Sequence, residues 1–325
     1  MPISFHRLAI LVTSASLVLA GTLVAQKAED PKPKAKAPES PVPQAPSPPP
    51  PDDGFTTLDS TVGYIDPAIP WTQLRFRYDS AYNFLRPNRA EFFYAKPKPT
   101  GPGLSVPETR IDYQEVNVYG EICITDRWSI LAEMPARFLN PEANPNYYGF
   151  SDLTVGGKYA FVMEDDLVAS VQVRVTSPTG DAGRGLGTKH VSIESGFLGW
   201  YKLNDRWGIE GELRYWAPVG GTDFAGDIMR YGIGVYHNLY LGDTLRIAPV
   251  AEFVGWTVFG GKERYLLPSG VGVTENAVGD TIVNAKLGLR IGMGRNNDMY
   301  VGYGHALTGD KWYQDVFRFE LRRRF

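Results

Sequence analysis

From Trp71 onward the chain alternates between apolar or small residues and polar ones with a period of two. Leu153, Val155, Gly157, Tyr159 and Phe161 fall on one phase, against Asp152, Thr154, Gly156, Lys158 and Ala160 on the other. Leu167, Ala169, Val171, Val173 and Val175 oppose Ser170, Gln172, Arg174 and Thr176. The pattern returns at Trp207–Tyr215 against Glu210, Glu212 and Arg214, and at Val283–Ile291 against Asn284, Lys286 and Arg290. Successive side chains of a strand point to opposite faces, so each run predicts a strand with one apolar and one polar face. Runs of about ten such residues match tilted strands that cross a bilayer.

The connections set the architecture. Short charged turns fall at Thr125–Arg127, Glu164–Asp166, Asn204–Arg206, Leu241–Asp243 and Arg295–Asp298. Longer loops lie at roughly 81–108, 140–150, 178–189, 218–228, 258–280 and 307–312, in strict alternation with the turns. Six loops and five turns join twelve strands, and this alternation is the layout of an outer-membrane barrel. Trp128 and Trp207 just after short turns, and Phe161, Tyr201 and Tyr240 just before them, suit rings at a membrane boundary. A soluble β-sandwich would account for the aromatics but not for the loop asymmetry. The expected fold is therefore all-β: a transmembrane, antiparallel, up-and-down β-barrel over residues 55–325, both of its ends in the periplasm.

The N-terminal part has a different character. Leu8–Ala20 is mostly apolar behind His6 and Arg7, and small residues follow, which predicts a signal peptide over 1–25. Residues 26–54 are rich in Pro and Lys, and predict a disordered, extended periplasmic linker. Its lysines make peptidoglycan a partner to consider through residues 27–53, against the simpler reading of a solvated spacer. Cys123 is the single cysteine, which excludes an intramolecular disulfide and a cysteine-based zinc site. A net charge of −3 without a basic stripe speaks against nucleic acid, and no cofactor is called for.

If the apolar phase faces lipid, the other phase lines the interior. The candidate lining residues are Arg75, Arg77, Arg137, Arg174, Glu194, Glu210, Glu212, Arg214, Arg230, Glu252, Lys286 and Arg290. Adding Lys158, Arg246, Arg318, Arg322, Arg324, Glu115, Glu121, Glu133 and Glu320 gives thirteen basic and eight acidic positions, a tally of +5. Two readings stand: a basic eyelet that favours anions, or a ladder of ion pairs that holds the barrel's shape. Trp200, Trp216, Tyr236 and Trp256 share this phase. Trp216 and Trp256, near the outer strand ends, are candidate mouth aromatics that stack a ring or pack beneath the loops. The Pro-bearing loop at 81–108 is long enough to fold inward as a constriction.

The chain ends Phe317-Arg318-Phe319-Glu320-Leu321-Arg322-Arg323-Arg324-Phe325. A last strand closed by a phenylalanine resembles the signal read by the barrel-assembly machinery, which makes Phe325 the candidate assembly residue. Three stretches resemble the meta-pathway phenol-degradation or transporter family of outer-membrane proteins. They are Ser151-Asp152-Leu153-Thr154-Val155-Gly156-Gly157-Lys158-Tyr159, Ser177-Pro178-Thr179-Gly180, and Tyr303-Gly304-His305-Ala306-Leu307-Thr308-Gly309. The resemblance covers roughly residues 55–325 and implies a barrel embedded in outer-membrane lipid that takes up small aromatic or apolar solutes. The expectation is a passive channel or transporter for small, aromatic or anionic compounds. The alternatives are a barrel that anchors the envelope through the linker, and a lipid hydrolase built around His305, which has no flanking serine on its strand.

Overall fold

The computed structural model describes residues 59–84, 94–266, 272–309 and 311–325; the expected signal peptide and Pro/Lys linker lie outside them. Twelve long strands follow one another: β1 (Gln73–Phe84), β2 (Ile111–Cys123), β3 (Trp128–Pro141), β4 (Leu153–Met163), β5 (Leu167–Ser177), β6 (Val191–Lys202), β7 (Trp207–Val219), β8 (Ile228–His237), β9 (Leu245–Val258), β10 (Thr281–Met293), β11 (Asn297–Ala306) and β12 (Asp315–Arg324). Each pairs antiparallel with its sequence neighbours. The barrel closes between β1 and β12, from Gln73 opposite Arg324 to Tyr82 opposite Asp315. Closure leaves no open sheet edge, which is what a sheet in lipid requires.

The alternation read from the sequence is realised inside out. Lys158 and Arg214, on the inner phase, are 0% and 1% exposed, whereas Leu287 and Phe197, on the outer phase, are 65% and 61% exposed. Burial of charge beneath an apolar exterior is the arrangement of a protein whose outer solvent is lipid. Rings cluster on the outside near the short turns, where Trp128 stacks on Tyr159 at 4.5 Å and Trp207 lies 4.3 Å from the His237 ring. All five short turns join the strands that the sequence predicts.

The long-loop end carries additional structure. A short strand, Tyr147–Phe150, pairs with the upper part of β3, and Lys262–Leu266 pairs with Gly272–Asn276 in a separate hairpin. The loop expected from residue 81 begins only after Phe84, because β1 keeps partners on both sides: Tyr82 opposite Asp315, and Phe84 opposite Ile111. In its described part, Tyr94 and Leu104 are buried in a cluster with Phe84, Ile111, Leu139 and Leu186. This loop thus covers the outer ends of β1–β3. Buried carboxylates tie neighbouring loops together. Glu108 accepts the backbone N–H groups of Glu142, Ala143 and Asn144, and Asp152 accepts those of Gly180 and Thr188.

A further element runs inward, deeper into the lumen. Residues Asp59–Thr72 have no regular secondary structure and run through the lumen before β1 begins. Pro67 and Pro70 deny this stretch a strand ladder. Asp59 meets Arg246, Arg322 and Arg324 near the short-turn end; Asp66 meets Arg75, Arg174 and Arg214 deeper in. The chain then returns to the rim, where the Thr72 carbonyl accepts the Phe325 N–H at 2.9 Å. Glycines on β8 let it lie flat against the wall. A Cβ on Gly234 would stand 2.7 Å from Val62 Cγ1, and one on Gly232 would stand 3.0 Å from Ile65 Cγ1.

Candidate functional site

Two carboxylates of the barrel wall grip the backbone of the lumen segment. Glu210 on β7 accepts the Thr61 and Val62 N–H groups at 2.6 and 3.2 Å and the Ser60 hydroxyl at 2.5 Å. Glu252 on β9 accepts N–H groups from Gly63, Tyr64 and Ile65 at 2.9, 2.9 and 3.1 Å, and the Tyr300 hydroxyl at 3.2 Å. Hydrogen bonds to charged groups each contribute about 1.5–3 kcal/mol net, so this is the stronger class of contact. The segment's carbonyls face arginines instead. Arg290 donates to the Thr61 and Val62 carbonyls, Arg318 to Gly63, Arg230 to Tyr64 and Arg322 to Ser60.

The segment's own acids complete the network. The Asp59 carboxylate accepts from Arg246 at 2.8 Å, Arg322 at 3.1 Å and Arg324 at 2.5 Å. Asp66 pairs with Arg214 at 2.6 Å, Arg174 at 3.1 Å and Arg75 at 3.6 Å. A buried charge without a partner costs several kcal/mol, so neither half of such a cage is stable alone. The wall pairs the remaining charges. Arg137 meets Glu115 at 2.6 Å, Arg77 meets Glu133 at 3.3 Å, Arg230 meets Glu212 at 2.8 Å, and Arg290 meets Glu320 at 3.1 Å. Arg174 also pairs with Glu133, and Arg214 with Glu194.

All twelve candidate lining residues are on the inner phase. The sequence reading missed two wall acids, Asp79, which chelates Arg318, and Asp298, which meets Arg290, Arg322 and Arg324. Asp298 had been read as a turn residue. With these two and the segment's Asp59 and Asp66, the thirteen basic positions read from the sequence face twelve acidic ones, a net of +1; Lys202, also on the inner phase, pairs with Asp205 of the adjoining turn at 2.8 Å. The ladder reading therefore describes most of the lumen, and the arginine eyelet is not free.

Toward the long-loop end the lumen opens into a cavity of about 200 Å³. Gly63, Tyr64 and Asp66 of the segment contribute to its lining, together with wall residues that include Arg77, Arg137, Trp216, Arg230, Trp256 and Lys286. Both candidate mouth aromatics thus border this chamber. Trp200 and Tyr236 do not: Trp200 donates to the Asp59 carbonyl at 3.2 Å, and Tyr236 lies under Arg246. They brace the cage around Asp59. On the lipid side His305 Nδ1 lies 2.8 Å from Asp315, whose carboxylate also accepts the Tyr303 hydroxyl at 2.5 Å. The imidazole is thus held by an acid and a phenol. Phe325 is exposed and follows the last strand directly.

No protein-family model and no characterised protein sequence matches the chain. Among solved structures it is similar to an outer-membrane channel from Pseudomonas putida F1, with a TM-score of 0.52 at 13% identity, covering 82% of this chain and all of that one. The NanC porin gives a TM-score of 0.44 at 10% identity, and the KdgM porin in complex with disordered oligogalacturonate gives 0.42 at 9%; each match covers 78% of this chain and 99% of the porin. The first of these shares the barrel architecture. Closure, an apolar exterior and that shared architecture make the chain a transmembrane β-barrel.

Proposed function

We propose that this barrel is a passive channel for small solutes whose conductance is set by its own N-terminal segment. The supporting observation is the division of the lumen: an open chamber at the long-loop end, and the segment filling the short-turn end. Short turns face the periplasm in this barrel class, so the chamber opens to the outside and both chain ends lie in the periplasm. A solute enters the chamber, meets paired charges and aromatic rings, and passes the segment to leave. With a lumen net of +1, the channel favours anions only weakly. Uptake of small aromatic compounds accords with the family resemblance noted in the sequence.

The Pro/Lys linker precedes the segment in the chain, with residues 55–58 between them. A partner holding the linker would therefore act on the segment, and the polyanionic cell wall is the partner suited to its lysines. Pull-down with purified peptidoglycan, with and without residues 27–53, tests that contact; equal recovery removes it.

Single-channel recording in planar bilayers tests the channel itself. The full chain is expected to give small, ohmic steps with a slight anion preference under a salt gradient. A chain without residues 59–72 is expected to give larger steps. A folded barrel that conducts in neither form contradicts the reading.

A further inference from the structure

The Tyr64 ring occupies an unusual place. It reaches from the segment to the chamber, with Lys286 Nζ 3.6 Å and the Arg318 guanidinium 3.9 Å from its centre. Its edge meets the Tyr300 ring at 6.1 Å, and two more rings border the same ammonium, Tyr313 at 5.3 Å and Trp256 at 5.9 Å. Cations attract ring faces through the quadrupole, most strongly where water is excluded.

The charges around this ring do not cancel. Arg318 is chelated by Asp79, and Arg230 Nε lies 2.8 Å from a Glu212 carboxylate oxygen. Lys286 has no ion-pair partner among the described residues, and its one hydrogen bond goes to the Tyr313 hydroxyl at 2.6 Å. Glu252 stands opposite Lys286 in the strand register, but its oxygens are taken by the segment's backbone and Tyr300. While the segment is in place, no carboxylate of the described residues lies within ion-pair distance of Lys286, and a buried ammonium without one is poorly tolerated. Two further groups at the site have no hydrogen-bond partner among the described residues, the Trp256 indole N–H and the Tyr64 hydroxyl. What the site lacks is a monoanion with acceptor oxygens; what it already holds is an aromatic ring.

We propose that Tyr64 is the built-in occupant of an aryl carboxylate site. An incoming solute exchanges with the Tyr64 ring, puts its own ring over the Arg318 guanidinium, and supplies the carboxylate that Lys286 and the Trp256 N–H lack. The inference rests on the channel reading, and names the class of solute that the chamber retains. The segment's backbone stays on Glu252 throughout, so only the side chain moves. Tyr64 is then a gate whose displacement and solute binding are one equilibrium, and removing the ring removes a competitor.

Titration calorimetry with sodium benzoate on the full-length, detergent-folded protein tests this. Folding is checked by heat-modifiable gel mobility. Tyr64→Ala should bind benzoate at least tenfold more tightly than the parent, and more tightly than cyclohexanecarboxylate or benzyl alcohol, which lack the ring or the charge. Adding Lys286→Met to Tyr64→Ala should cost at least tenfold. Equal benzoate affinity in the parent and Tyr64→Ala, or binding indifferent to Lys286→Met, overturns the proposal. The same proteins are recorded in bilayers. Conductance without benzoate binding overturns the site and leaves the channel standing; binding in a folded chain that never conducts sustains the site and removes the channel.

Discussion

The two halves of the lumen use the same residue types for opposite ends. At the short-turn end, arginines of β9 and β12 close around Asp59, carboxylates of β7 and β9 hold consecutive backbone N–H groups, and little space remains. At the long-loop end, arginines and acids of the wall pair with each other across neighbouring strands and line a cavity of about 200 Å³. The difference lies in what the wall groups are turned toward. At the short-turn end they bind the segment's backbone and Asp59, and the segment fills the space. At the long-loop end they pair mostly with one another, the segment adds only Asp66, and the lumen stays open.

The largest expected effect comes from taking away that supplied charge. Asp59→Asn leaves three arginines without one acceptor, and removing one partner of a buried ion pair costs about 3–5 kcal/mol. The segment should become open to protease in intact outer membranes, and single-channel conductance should rise. Next is Glu252→Gln, which keeps an acceptor but loses the charge shared by Gly63, Tyr64 and Ile65. A loss of about 1–3 kcal/mol should appear as faster hydrogen exchange at these three amides, with the barrel strands unchanged. The smallest effect on the segment should come from Trp216→Ala in the chamber wall. It should alter solute block of the current while leaving segment protection within about 0.5 kcal/mol of the parent, the spread usual for sites that act independently. A large effect of Trp216→Ala on segment exchange would mean that the two halves are not separate.

The barrel was legible in the sequence because lipid and lumen impose opposite polarities on alternating residues, and turn length alternates with them. The same alternation puts the twelve candidate lining residues on the inner phase but passed over Asp79 and Asp298. The lumen segment was not legible in that way. Val62-Gly63-Tyr64-Ile65-Asp66-Pro67 carries no period that distinguishes it from a loop, since it forms no ladder and touches the wall through its backbone. A signal did exist in the charge tally. An apparent excess of five positive charges in a closed lumen calls for anions from elsewhere, and Asp59 and Asp66 lie just before the first strand. Asp79 and Asp298 account for two of the five, and the segment for two more. The loop at 81–108 was expected to fold inward because of its length; its described part carries the apolar Tyr94 and Leu104, which pack with inner-phase Ile111 and Leu139 at the outer ends of β2 and β3 and bring no charge to the lumen. Length marks where a loop can go, and charge marks where it is needed.

The central claim is that residues 59–72 sit inside the barrel against β8, and a disulfide tests it directly. Val62→Cys and Gly234→Cys are introduced together in a Cys123→Ser chain, since a Cβ on Gly234 would lie 2.7 Å from Val62 Cγ1. The account predicts that mild oxidation of isolated outer membranes joins the two positions, seen as a linked peptide by mass spectrometry, and holds conductance at its low value. Two cysteines that stay free and label fully with a maleimide, in a barrel shown to be folded, would contradict it.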